Sequence, residues 1–516
     1  MQILLVVLSV FFSVLSAMMM SYLAMSTQLG PWVAPVFVVV CMVLAMPLTS
    51  KNWFKKYVIV TIAAGSMGGM VGMCLGLTWP AFYFLNQHSF NQSMKSPVLF
   101  ASGVSMFVLC AGMLAFLATY FFKDYLIAQR HLPFPMSKLI HDVVYINDAR
   151  ASQFMMVQGI VASSAWNMFL WAQRVLLSPY LLMMHMIPML FSIGFVAGRL
   201  SSVSLLIGML VRKFALYGIR NQYFLASSDK EFVVTFCSGM FLALISAQAF
   251  LYFVYNKGRV YQAFTLSNFF ESVARLFRVS HIRFLLVAAM VLPMVFLHTW
   301  HISWLAQGYL FLALLLVSYY VSVIVAKVGV IDLSVFVWVI LLPLAYLASG
   351  NQLTGVIVVA VFSMLFVGLV VDLLFSYKLA ELSRIAYKRI LGYQMLGFFV
   401  AVTSSGFVIW WYAHNFQLGS VGLLAQSAQE FNVMIQFGTY DHRIVLLGFV
   451  FGLIMRLFVP EPLVVVGSIL METGVTIWLV LAGAISYMVK KRERFYPFWF
   501  GVYSSHALWM MIWALK

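Results

Sequence analysis

Runs of apolar residues recur along almost the whole chain, near residues 3–25, 31–49, 57–86, 97–122, 152–173, 180–198, 201–219, 232–255, 284–301, 305–326, 331–348, 354–376, 390–412, 443–459, 461–489 and 495–515. Most have the ~20 residues that an α-helix needs to cross the hydrocarbon core of a bilayer. A weaker, more polar run lies at 419–437. The pattern predicts an all-α polytopic membrane protein of about fifteen to seventeen transmembrane or re-entrant helices. A membrane β-barrel would instead show ~10-residue segments of alternating polarity. No polar stretch is long enough to bury a core of its own, so residues 1–516 read as one membrane domain. Its N-terminal half is 1–256, its C-terminal half 284–516, and a hydrophilic linker at 257–283 joins them. In that linker Phe264, Leu266, Phe269, Phe270, Val273, Leu276 and Phe277 keep a helical face beside Arg275 and Arg278. That is the pattern of an amphipathic helix lying on a membrane surface.

Composition agrees: 64% of residues are hydrophobic, 9% are charged, and the mean hydropathy is +1.00. The formal charge of +17 comes from 31 Lys and Arg against 14 Asp and Glu. These cations sit in short loops between apolar runs, as positive-inside topology requires, rather than in a nucleic-acid-binding patch. Lys51, Lys55 and Lys56 form one basic loop, and Lys123, Arg130, Lys138 and Arg150 a second. A third holds Lys257, Arg259, Arg275, Arg278 and Arg283, and a fourth Lys378, Arg384, Lys388 and Arg389. Even numbers of crossings separate them, which places all four, and the N-terminus, in the cytoplasm of a protein integral to the plasma (inner) membrane. The run that begins the chain lacks a basic flank before it, so it reads as a first spanning helix rather than a cleaved signal. Two loops resist. The one carrying Arg212, Lys213, Arg220 and Lys230 falls on the outer side, and Lys490 to Arg494 falls inside only if 419–437 crosses fully. Cys41, Cys74, Cys110 and Cys237 all lie in apolar runs without metal-type spacing and read as inert.

Leu132-Pro133-Phe134-Pro135 interrupts the second basic loop. Each proline fixes its own φ and pushes its predecessor out of the α region, so Leu132 and Phe134 are expected to be extended. A new helix is expected to start at Ser137 or just after Pro135, with free N–H groups at its start. Taken alone, such a stretch is also an ordinary rigid connector.

The features around it, in order, resemble the oligopeptide transporter family. The matching pieces are the small-residue stretch Ala63-Ala64-Gly65-Ser66-Met67-Gly68-Gly69-Met70, then Leu126-Ile127, then Leu132-Pro133-Phe134-Pro135. Pro179, Pro188, Gly194, Gly198-Arg199 and Gly208 resemble a glycine-rich helix pair of that family. Asp372-Leu373 with Tyr377 and Arg384, then Leu424 to Gln429, Gly448, Gly452, Pro460 and Pro462, are similar to its closing segments. The chain departs at Leu374 and Ser376, where the family has Lys and Gly, and at Ala425-Gln426-Ser427-Ala428, where a proline is lost. The resemblance implies a secondary active transporter, proton-coupled, for small peptides or metal–chelate complexes, without a bound cofactor.

Transport needs polar groups at membrane depth, where each is costly and faces a cavity or a partner. Asp372 interrupts the run 354–376 and is a candidate proton or cation site, or else an interfacial carboxylate paired with Lys378 or Arg384. Glu472 sits mid-run in Met471-Glu472-Thr473-Gly474, suited to proton coupling or paired with Arg456 or Arg199. Gln426, Gln429 and Glu430 share a face of the weak run, either lining a cavity from a re-entrant segment or decorating an outer amphipathic helix. Gly65, Gly68, Gly69 and Gly72 form a small-residue face that permits close helix approach and is equally compatible with lining a pathway. His298 and His301 are three apart but lack a further ligand, and the 33 methionines are dispersed, so no metal site is expected.

No Walker A loop is present, which argues against direct use of ATP. The alternative class is a polytopic transferase or lipid-modifying enzyme. Its carboxylates would be concentrated in a loop, yet the loop 123–150 offers only Asp124, Asp142 and Asp148, without metal-type spacing. A channel is a third reading, and its rings of like residues come from an oligomer, a state that one sequence leaves open.

Overall fold

A computed structural model describes residues 2–26, 34, 36–38, 41, 52–129, 132–145, 149–172, 187–224, 229–255, 280–329, 353–420, 423, 425–437, 441–459, 461–471, 473–489 and 492–514. Helices account for nearly all of them, and no strand occurs among them. Among the described residues, seven helices are long and apolar enough to cross a bilayer: Ile3–Ser26, Trp53–Leu85, Pro97–Ile127, Ser202–Tyr223, Trp304–Val328, Leu353–Leu382 and Tyr387–Asn415. Five shorter apolar helices accompany them. The chain is an all-α polytopic membrane protein. The predicted run 331–348, most of 31–49 and most of the linker 257–283 lie outside the described residues, and two further runs are broken into short helices.

Two helices form the interior. Asn52–Thr78 and Leu353–Leu382 are buried along their apolar stretches on every side. They run antiparallel, since Cys74 approaches the carbonyl of Met364 while Ser66, two turns back, meets Asp372. Gln2–Ser26 lies parallel to Asn52–Thr78, with Gly68, Gly72 and Gly76 set against the backbone of Ser13, Ala17 and Ser21. This i, i+4 series removes the Cβ atoms that would otherwise hold the backbones apart. In lipid such close packing replaces the missing hydrophobic drive.

The ends of several helices bring Lys55, Lys123 and Arg389 onto one face. Arg389 lies over the Tyr57 ring at 5.1 Å, Lys123 over Tyr387 at 5.7 Å and Lys55 over Tyr145 at 5.5 Å. The starts of Asn52–Thr78 and Tyr387–Asn415, the end of Pro97–Lys123 and the helix Pro135–Tyr145 therefore share a basic face. Aromatic rings under the cations are what an interfacial belt provides. On the opposite face Trp410 donates to the carbonyl of Met94 and Tyr412 to that of Met18.

Lys138, also on the basic face, donates to Glu493 at 2.9 Å and so ties Pro135–Tyr145 to the turn that opens the last helix, Tyr496–Ala514. Burial alone would lower the Lys138 pKa, but the Glu493 hydrogen bond, Tyr496 and nearby carboxylates outweigh it and hold it above the ordinary lysine value. The same hydrogen bond and charge hold Glu493 below the ordinary carboxylate value. The Glu493 contribution is present above the unfolded pKa of ~4.3 and lost as pH falls through the depressed folded value. The Lys138 contribution is present below ~10.4 and lost as pH rises through the raised one. Between those limits Glu493→Gln is expected to cost less than ~1 kcal/mol by thermal unfolding, because both side chains are largely solvated.

Candidate functional site

The break at Leu132-Pro133-Phe134-Pro135 departs from expectation at one residue. Phe134 is not extended but left-handed, with φ of +40°. The tertiary setting explains it: its N–H donates to the carbonyl of Ala326 at 2.8 Å, and its buried ring meets Phe375 edge-on at 5.6 Å. Leu132 is buried and Pro133 exposed, and the helix begins at Pro135. Ser137, in its first turn, donates across to the carbonyl of Phe375. The stretch is thus a plug between the end of Trp304–Val328 and the helix Leu353–Leu382. Gly329, with φ of +92°, caps the former and lies beside Pro135 and Met136.

Asp372 is fully buried and accepts a hydrogen bond from Ser66 at 2.9 Å. The helix that carries it continues to Leu382, six residues beyond the apolar run, so Asp372 stands about 15 Å from the helix end at ~1.5 Å per residue. Lys378, one proposed interfacial partner, instead pairs with Glu381 at 2.7 Å. The carboxylate therefore belongs to the interior.

The small-residue face resolves by position. Gly65 faces Phe12 and Phe37, while Gly68 and Gly72 face the backbone of Ser13 and Ala17. Gly69 is buried as well. This side of the helix packs against its neighbours, and Ser66, inside the same series, looks the other way to Asp372.

The runs 419–437 and 461–489 both break. Among the described residues of the first, the helix is Gln426–Phe437, about 18 Å long, too short to cross by itself. Gln426 is exposed and donates to Glu430 at 3.1 Å, one turn on. Gln429 and Glu430 are half-buried, and Gln429 lies near Gly419. The second becomes two helices, Pro462–Leu470 and Thr473–Met488, with extended backbone at Met471 between them. Ser468 packs against Leu205 and Gly208, whereas Gly483 packs against Ser202 and Gly194 against Leu479 and Ala482. Arg492, beyond the second helix, lies over Gly198. The two helices thus form a hairpin that leaves from and returns to the basic face. Since neither 419–437 nor 461–489 makes a full crossing, their effects on parity cancel. The basic turn Arg492–Phe495 returns to the Lys138 side without the full crossing that the sequence pattern had demanded.

Arg212 holds the tip of this hairpin. Its guanidinium donates to the carbonyls of Ile469 at 3.2 Å, Leu470 at 3.3 Å and also Met471, the orphan acceptors at a helix end. Arg212 and Arg220 both approach Asp229, at 3.7 and 3.8 Å. Two of the cations in the anomalous outer loop are therefore occupied inside the protein. Arg212→Met leaves those carbonyls short of donors, at about 1–3 kcal/mol. Labelling of a cysteine at Met471 by a membrane-impermeant maleimide is expected to quicken at least about fivefold.

Other expectations find simpler places. Glu472 lies outside the described residues, and of Arg199 only the backbone, at the start of Arg199–Leu210, is described. Arg456 is exposed. His298 stacks on Trp304 with ring centres 4.6 Å apart, and His414 stacks on Trp410 at 5.0 Å. No cluster of three metal-ligating side chains occurs among the described residues.

Among the ionic pairs that sequence reasoning passed over, one is largely buried. Glu461, 9% exposed, meets Lys327 at 2.7 Å at the foot of the hairpin. Its signal was a carboxylate between two prolines, Pro460 and Pro462, within an apolar stretch. No family model matches this sequence, and no curated protein is significantly similar to it.

Proposed function

We propose that this chain is a secondary active transporter, allied in plan to the oligopeptide transporters, that couples proton movement to uptake of small peptides or metal–chelate complexes. The observation that carries this reading is the interior carboxylate of Asp372, held by Ser66 between two helices with no lipid-facing side. An ionisable group so placed is expensive unless it binds a proton, an ion or a partner during function. Helices broken inside the bundle supply the irregular backbone from which transporters build solute sites. Positive-inside topology puts the basic face, and the N-terminus with it, in the cytoplasm of the plasma membrane. Small peptides or metal chelates are the solutes, on the strength of the family resemblance.

The test is uptake into proteoliposomes under an inward proton gradient, using pooled di- to hexapeptides with and without Fe(III) chelates. Accumulation that collapses with a protonophore is expected. No gradient-dependent accumulation of any pool, by folded and correctly oriented protein, would overturn the reading.

A further inference from the structure

We propose that Glu461 is a recognition site for a primary ammonium group. Lys327 is its resident occupant on one oxygen, and the second oxygen, buried and without a donor among the described residues, is the one that takes the ammonium of a solute. The pair is built from opposite sides of a junction. Glu461 precedes the first helix of the hairpin, and Lys327 ends Trp304–Val328 next to the Phe134 plug. Lys327 Nζ donates to Glu461 Oε1 at 2.7 Å, and the buried Oε2 has no hydrogen-bond partner among the described residues. A carboxylate has about four lone-pair sites and accepts two cationic donors readily, one on each oxygen. Leaving one oxygen of a buried carboxylate unmet is costly, so the vacancy calls for a donor.

The ordinary structural use of this side chain is not made. Glu461 stands at the N-cap of Pro462–Leu470, yet its side chain accepts no hydrogen bond from that helix. Access exists on the other partner's side, for Lys327 remains 26% exposed while Glu461 is closed off. A solute that displaces the exposed part of Lys327 is one ion pair, 2.7 Å, from the carboxylate. Lys327 itself shows that an ammonium on an alkyl chain fits there. Taking the ammonium to be a peptide's N-terminus rests on the transporter reading, but the binding itself does not.

The binding test uses the full chain in nanodiscs, with methylammonium chloride against tetramethylammonium chloride, which carries the same charge but no N–H. Methylammonium is expected to raise Tm by about 2 °C near saturation and tetramethylammonium to leave it unchanged. Glu461→Gln should lose that difference. Lys327→Met, which frees the other oxygen, should at least double it. Equal shifts from the two salts in both the natural chain and Lys327→Met would overturn the site, as would a response retained in Glu461→Gln. Should Glu461→Gln fail to fold, the Lys327→Met comparison decides alone.

In proteoliposomes, Ala-Ala should be taken up at least tenfold faster than N-acetyl-Ala-Ala, about the factor that one charge-assisted hydrogen bond supplies. Equal uptake of the two would overturn the assignment to peptide N-termini. Uptake of neither would count against the transporter reading while leaving the Tm result to judge the ammonium site.

Discussion

Asp372→Asn is expected to cut gradient-driven accumulation at least about a hundredfold, the scale on which removing a positioned proton-transfer group acts. Asparagine has nearly the same volume, and its side-chain oxygen can still accept from the Ser66 hydroxyl, so Tm should move by no more than a few degrees. What disappears is the ability to gain and lose a proton inside the bundle. The check is a pair of measurements on one preparation: uptake with an imposed proton gradient, and counterflow exchange of preloaded solute without one. A coupling role predicts loss of the first and survival of the second. Loss of both, with the fold intact, would make Asp372 part of solute binding instead. Undiminished accumulation would remove it from the mechanism altogether.

Gly68→Val is expected to prevent stable folding, the largest structural effect of any single change considered. A Cβ at Gly68 would press into the carbonyl of Ser13, and one at the next step but one, Gly76, would stand 2.6 Å from the carbonyl of Ser21. These are backbone atoms of a helix pinned along several turns, so they cannot swing aside as a flexible side chain would. Overpacking a core ordinarily costs about 1–3 kcal/mol, and more when backbone must move. Valine adds two further methyl groups to that collision. The measurement is the monodisperse yield and Tm of Gly68→Ala and Gly68→Val beside Gly103→Ala. A Cβ at Gly103 meets nothing within 4 Å, so that variant should behave as the natural chain does. Equal behaviour of the Gly68 and Gly103 variants would refute the packing account.

The helical membrane class was legible from the apolar runs alone, because burial in lipid leaves a compositional record on every segment. So was the sorting of Lys55, Lys123 and Arg389 to one face, since loop charge follows insertion topology. The hairpin at 462–488 was not legible, for its two short helices and a true crossing are equally apolar. Contacts made across the fold distinguish them, among them Arg212 reaching the carbonyls before the turn, which joins residues 258 positions apart. At Asp372 the type of residue was readable and its depth was not, because the helix runs on past the apolar stretch through Tyr377 and Lys378 to Leu382. Ser66 was hidden among glycines as one more small residue. Phe134 failed as a local prediction because a tertiary hydrogen bond to Ala326 outweighs the preference that proline imposes on its neighbour.

The Leu353–Leu382 helix is the most apolar of the seven long ones, yet its apolar stretch is enclosed by protein. Its Val, Ile, Leu and Phe side chains are therefore not there to please lipid in the finished molecule. Their use comes earlier, during synthesis, when the segment must pass from the translocon into lipid as a single helix, before it docks against Asn52–Thr78 and Pro97–Lys123. On the insertion scale an aspartate near a helix centre costs about 2.5–3.5 kcal/mol, and each such apolar residue returns about 0.3–0.6. Between Val356 and Phe375 the apolar residues outnumber what one carboxylate requires. The oily sequence is the vehicle that carries a charged group into the membrane, and the surrounding helices later close over both.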